Sequence, residues 1–336
     1  MSRWLTLITL IALIMSILMA VLSAYIRLSE SGIDCAPWPD CFQSSFSIDL
    51  EPGIAIEQQD PNRALRLSHR FMASAFGLLV VLLFTLAIWS QRRQKNNLLA
   101  PSLCLMITIV LAIVGTNSPD LAHPIVATTN LVGGMALAVI LLWYLQTLMN
   151  NRQPSPPRKI YSASAFVLIF TSVASGAWVS ANFAAGSCAG LCDFSNLTAE
   201  GALPAEGFLS AEGALPAEGA LTAEGSLPAE GSAFSPFRAL EIDASRAVIT
   251  PDIHNEMILA WHQYLAIFAL LFVGARCLQL MQKNPRHAAT LTALAGALVT
   301  VVFLEHQAHS VFLASLHNGL ALMLLMTLLV QGRQHD

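Results

Sequence analysis

Charge is what this chain has least of. Only 11% of its 336 residues are Asp, Glu, Lys or Arg, against 55% hydrophobic. That balance excludes a water-soluble globular domain and indicates a polytopic membrane protein. Several catalytic signatures are missing too. No glycine-rich loop runs into a Lys to cradle phosphate, there is no nucleophile elbow, and His-Glu-x-x-His is absent. Nucleotide and zinc-hydrolase chemistry therefore have no support. Acids along a buried path are lacking as well, which argues against a transporter.

What is present is apolar sequence in long runs. Eight stretches can span a bilayer, at roughly 4–27, 70–90, 98–116, 124–147, 161–184, 256–279, 288–306 and 310–331. The first is too long for a cleaved signal and lacks a clean small-residue cleavage site. The formal net charge of −4 conceals an asymmetry. Eleven of the 17 Lys/Arg fall at the N-terminus, in every second loop and near the C-terminus: Arg3, Arg92–Lys95, Arg152–Lys159, Arg276, Lys283, Arg286 and Arg333. Twenty of the 21 acids fall in or beside the opposite loops, Asp336 being the exception. By the positive-inside rule both termini are cytoplasmic, as in a bacterial-type cytoplasmic membrane.

The six cysteines are of two kinds. Cys104 and Cys277 lie within spans, where packing is their expected role. Cys35/Cys41 and Cys188/Cys192 lie in loops on the non-cytoplasmic side, where disulfides persist. Their short spacing cannot staple a domain. A local loop disulfide in each pair, structural or redox-active, is the favoured reading, and a metal site short of ligands is the alternative.

The chain repeats itself. Ser23-Ala24-Tyr25-Ile26-Arg27 precedes Cys35 at the same spacing as Gly176-Ala177-Trp178-Val179-Ser180 precedes Cys188. The following span begins with Leu67-Ser68-His69-Arg70-Phe71 in one half and Ala260-Trp261-His262-Gln263-Tyr264 in the other. Leu316-His317-Asn318-Gly319 in the last span aligns with Thr129-Asn130-Leu131-Val132, so Asn130 stands where His317 does. Histidine thus fills three of four equivalent places. The expected fold is all-α, eight transmembrane helices as two pseudo-symmetric four-helix bundles. The halves are 1–150 and 161–336, joined by a cytoplasmic linker at 151–160 that carries Pro154, Pro156 and Pro157. Within the second half, 197–232 is an Ala-Glu-Gly-x-Leu-x repeat with acidic beats from Glu200 to Glu230. It has glycine in every unit and no core, and reads as a disordered insertion. Gly133-Gly134 and Met135-Ala136-Leu137-Ala138 read as close helix packing, with no ligand needed.

A single intramembrane histidine is ordinarily a hydrogen-bonded core residue. Two at corresponding depths, with an echo in the first half, point instead to haem. Imidazole is costly to bury without a partner, and it is a common axial ligand of haem iron. His262 and His317, on the sixth and eighth spans, enter from the same face. Inward-facing residues of a four-helix bundle surround a central cofactor. Two imidazoles on one iron make a six-coordinate, low-spin centre suited to electron transfer. The remaining histidines (His123, His254, His287, His306, His309 and His335) fall at helix ends or in loops, where solvated roles are expected.

In the order and spacing of these pieces the chain resembles the haem A synthases. The resemblance rests on Gly32-Ile33-Asp34-Cys35 with Trp38-Pro39 and Cys41, on Ser68-His69-Arg70, on Gly176–Ala184 with its cysteine pair, on His262, and on Leu316–Ala321. It covers nearly the whole chain outside 197–250. It implies oxidation of the methyl at ring carbon 8 of haem O to a formyl, during cytochrome oxidase biogenesis. It also implies a haem b held by His262 and His317 in the second half, and a substrate haem near His69 in the first. Arg70 is a further cofactor-binding candidate and Glu57 a further catalytic one. The first-loop cysteine pair, Cys35 and Cys41, is implied to be redox-active. Haem O, haem O synthase, an electron donor and membrane lipid are the implied partners; no nucleic acid is expected.

The chain departs from that pattern in the first half. Arg66 occupies the place of the family's Glu, Asn130 that of its fourth-span histidine, and Gln263 that of the Arg after the sixth-span histidine. Glu57 and His123 are candidate substitutes, although the seven residues between His123 and Asn130 correspond to about 10 Å of helix. Two readings follow: a haem A synthase-type oxidoreductase, or a non-catalytic relative that keeps haem b for haem handling or oxidase assembly.

Overall fold

The computed structural model describes residues 2–30, 63–94, 98–117, 124–150, 160–182, 184–186, 242–243, 248–249, 254–308 and 310–334. Among these residues eight α-helices carry the fold: α1 (Ser2–Glu30), α2 (Arg63–Gln94), α3 (Leu99–Asn117), α4 (Pro124–Asn150), α5 (Ile160–Ala181), α6 (His254–Lys283), α7 (Pro285–Ala308) and α8 (Val311–Gln334). A 3-10 turn, Ala184–Gly186, follows α5, and a two-residue antiparallel strand pair joins Ile242–Asp243 to Val248–Ile249. Among the described residues seven helices are long and apolar enough to cross a membrane. The shorter one is α3, 19 residues long and apolar over Leu99–Gly115. At 1.5 Å per residue it measures about 28 Å, still close to the hydrocarbon thickness. The protein is an integral, multi-pass membrane protein.

Successive helices run in opposite directions, and packing closes them into two rings. In the first, α1 packs on α2, α2 on α3, α3 on α4 and α4 on α1; in the second, α5, α6, α7 and α8 do the same in order. The rings meet through α1 with α8, α4 with α5, and α4 with α8. Under the repeat α1 corresponds to α5 and α4 to α8, so the first two contacts are symmetry mates. That is the arrangement of two parallel repeats about an axis along the helix bundle.

Lipid gives no hydrophobic drive between helices, so close approach and internal hydrogen bonding must hold them. The α1–α4 seam uses small residues: Ala12, Ala20 and Ala24 are buried, and Gly134 lies against Ala20. Ser16 Oγ donates across it to the Gly134 carbonyl at 3.3 Å. Gly133 faces α3 instead, where a Cβ would come within 2.7 Å of Leu111 Cδ2. The two glycines thus serve packing on opposite sides of α4, as their sequence setting indicates. Hydroxyls within the spans turn back on their own helices, as Thr9 does to Leu5 O at 2.7 Å and Thr108 to Cys104 O at 2.8 Å. Cys104 and Cys277 are buried free thiols.

Helix ends are set by local chemistry. Asn284 separates α6 from α7: its Oδ1 accepts from the His287 N–H, and Pro285 stands at the first helical position, needing no donor. Exposed aromatics mark both ends of the slab, Trp4 and Trp89 at one and Trp261 and Tyr264 at the other. The second of these, the histidine end, is where α1 and α5 finish and α6 and α8 begin.

Candidate histidine centre

The motif at the end of α5 resolves into separate tasks. Ser180 and Ala181 offer their carbonyls to Arg27 of α1, whose Nη2 donates to them at 3.3 and 2.9 Å. A cation on the last carbonyls of a helix is favourably placed against its dipole. Arg27 and Ser180 are also repeat-equivalent positions, so the contact ties the two halves together at the histidine end. Asn182 closes α5, its Nδ2 donating to Trp178 O at 2.8 Å, and the buried Asn255 of α6 reaches the Asn182 carbonyl. These contacts set the register of α6 against α5.

That register delivers His262 onto α5. Its ring rests on Gly176: a Cβ there would lie 2.8 Å from Cε1 and 3.3 Å from Nε2. Any other residue would have to push the imidazole aside, and this is the reason for glycine in the motif. Nδ1 of His262 is 2.9 Å from Ser175 Oγ. The Ser175 hydroxyl already donates to the Ser172 carbonyl at 2.8 Å. With its one proton so used, Ser175 must accept from His262, which places the ring proton on Nδ1 and leaves the lone pair on Nε2.

His317 is held the same way by a different group. Its Nδ1 lies 3.1 Å from Glu305 Oε2, contributed by α7. An Nδ1–H donated to a carboxylate again leaves Nε2 free as a ligand. The helices α6 and α8 are diagonal in the second ring, each packed on α5 and α7. His262 lies within electrostatic reach of both His317 and Glu305. The structure therefore brings together His262, His317, Ser175 and Glu305, of which sequence reasoning singled out only the histidines. Ser175 immediately precedes the glycine of the motif, and Glu305 is an acid at the edge of a span. Both were legible as residue types, but their partners are set by tertiary contact.

Among the described residues no cluster of three or more His, Cys, Asp or Glu could hold a metal ion. Two imidazoles with engaged Nδ1 are an incomplete set for a bare ion, but His262 and His317 are a donor set that would hold a haem, whose porphyrin supplies four further nitrogens.

In the first ring His69 stands on α2 and Asn130 on α4, the corresponding diagonal pair. Both are half-buried. No described side chain hydrogen-bonds the His69 ring. Arg70 is exposed. Gln263 is half-buried beside His262. Cys35, Cys41, Cys188, Cys192, Glu57, His123 and the 197–232 repeat lie outside the described residues, as do the side chains of Arg66, His254, His306 and His309.

Fold and site together define a class: a membrane protein of two four-helix rings with a paired-histidine centre in the second. Residues 6–329 match the family model COX15-CtaA, cytochrome oxidase assembly protein, and the chain belongs to that family. It is 29% identical over 207 residues to a protein named heme A synthase from Shewanella oneidensis, covering 54% of this chain. The chain matches 58% of that relative's length, under two thirds of it.

Proposed function

We propose that this protein is a haem A synthase-type membrane oxidoreductase, with haem b held by His262 and His317 and haem O as substrate in the first ring near His69. The observation that carries the reading is the matched engagement of both Nδ1 atoms, which leaves two Nε2 ligands on diagonal helices. When bound, a bis-histidine haem supplies one-electron transfer. The chain's own residues hold the ligands in place. Ser175 fixes the tautomer of His262, Gly176 admits its ring, and Glu305 orients His317. On this reading both termini are cytoplasmic, the centre lies toward the opposite face of a bacterial-type cytoplasmic membrane, and the Cys35–Cys41 and Cys188–Cys192 pairs face outward as disulfides. Arg70 and Glu57 remain candidates for substrate-haem contact and catalysis.

A second reading is favoured by one feature. Asn130 occupies the His317-equivalent position, and Asn does not normally ligate haem iron, so the first ring lacks the ligand pair of the second. The chain would then keep haem b while handling haem or assisting oxidase assembly without oxidising haem O. Haem extracted from membranes of cells that express the protein with a haem O source separates the two. Haem A accumulating above the vector control supports the synthase, whereas protohaem with unaltered haem O supports the second reading and overturns the first.

A further inference from the structure

The two histidines of the centre have unlike supports. His262 donates to a neutral hydroxyl that passes its own proton on to the Ser172 carbonyl. His317 faces a carboxylate, Glu305, at 3.1 Å. Only two acids, Glu256 and Glu305, fall within the apolar spans of the described helices. Glu305 closes the apolar span of α7, and its carboxylate is spent on an imidazole. The counterpart helix α3 has no acid from Leu99 to Asn117.

We infer that Glu305 is a positioning residue that lends His317 imidazolate character and biases the bound iron toward its ferric state. The inference rests on the bis-histidine reading above. A carboxylate accepting the Nδ1 proton raises electron density at Nε2, making it the stronger donor of the pair. Ferric iron carries one more positive charge than ferrous, so a stronger donor and a nearby anion both favour it. Reduction adds one electron to the iron and breaks no bond. In the assay that electron comes from a sulfur-oxyanion reductant through redox mediators. The asymmetry makes the centre a stronger reductant than two Ser-supported histidines would be, which suits a centre that passes electrons on.

The test is a potentiometric titration of the purified, haem-loaded full-length protein beside E305Q and S175A. E305Q keeps the hydrogen bond and removes the charge. It is expected to shift the ferric–ferrous partition at least tenfold toward ferrous, about 59 mV upward for one electron. S175A is expected to shift it by much less. A wild-type low-spin spectrum with an unchanged E305Q potential overturns the inference and leaves the histidine reading standing. An unaltered spectrum after His317→Ala overturns the histidine reading itself, and the inference with it. If E305Q fails to fold or to hold haem, the ferric paramagnetic resonance of the unaltered protein decides. Anisotropy compressed relative to a neutral bis-imidazole haem supports imidazolate character, and the neutral pattern overturns it.

Discussion

At the scale of single residues, the centre depends on what surrounds each imidazole as much as on the imidazoles. His262→Ala or His317→Ala is expected to abolish the low-spin bis-imidazole absorption of purified protein, since one lost ligand leaves the iron five-coordinate. His123→Ala and His309→Ala should leave it intact; loss of the signal there would place the ligands elsewhere. Gly176→Val probes the fit more finely. Its side chain would meet the His262 ring, which already lies where a Cβ would be at 2.8 Å from Cε1. Haem retention through detergent washing should fall in this variant while membrane insertion stays normal. Asn130→His tests the other half. By the repeat it restores the partner of His69, so a second low-spin centre should form, seen as additional haem per polypeptide. Arg66 puts a cation where the family has a carboxylate, so no rise in haem A is expected unless Arg66→Glu accompanies it.

Between helices, single close approaches and cross-helix hydrogen bonds do the holding, and apolar periodicity along one helix does not reveal them. The α3–α4 seam closes because Gly133 leaves room for Leu111. Gly133→Val should cost about 1–3 kcal/mol through overpacking, read as a lowered unfolding midpoint in detergent; an unchanged midpoint would mean that Leu111 swings clear at no cost. Arg27 is the matching tie between α1 and α5, donating to Ser180 and Ala181. Removing hydrogen bonds to a charged group costs about 1.5–3 kcal/mol. Arg27→Ala should therefore destabilise the histidine end, seen as faster amide exchange in the last turn of α5. The Ala-Glu-Gly repeat is the opposite case. Deleting 199–231 should leave haem content and insertion nearly unaltered, because extra loop length adds little closure entropy.

For the whole molecule the sharpest expectation is topological. Reporter fusions at Gln94 and Ser232 should give opposite compartments if eight helices cross in alternation, and the same answer at both would remove one crossing. The two-ring arrangement gives one fold two equivalent pairs of diagonal helices. Each ring sets its diagonal helices face to face at the histidine end, and α6 with α8 repeats α2 with α4. Among the described residues the main seams between the rings run through α1, α4, α5 and α8.

Eight long apolar helices were legible in the sequence, because a bilayer demands long apolar runs and internally satisfied backbone, and both are written locally. The internal repeat picked out His262, His317, His69 and Asn130 as equivalent positions. Local pattern could say that these residues match one another but not what each touches. Ser175 reads as one more small polar residue, and Glu305 as one more acid near a loop. Their roles depend on the register of α6 against α5 and of α7 against α8. That register is decided by packing, by Arg27 on the end of α5, by Asn255 on Asn182, and by the absent side chain at Gly176. Periodicity along one helix carries no information about the height at which a neighbouring helix stands. Only the tertiary structure could pair a neutral hydroxyl with one histidine and a carboxylate with the other.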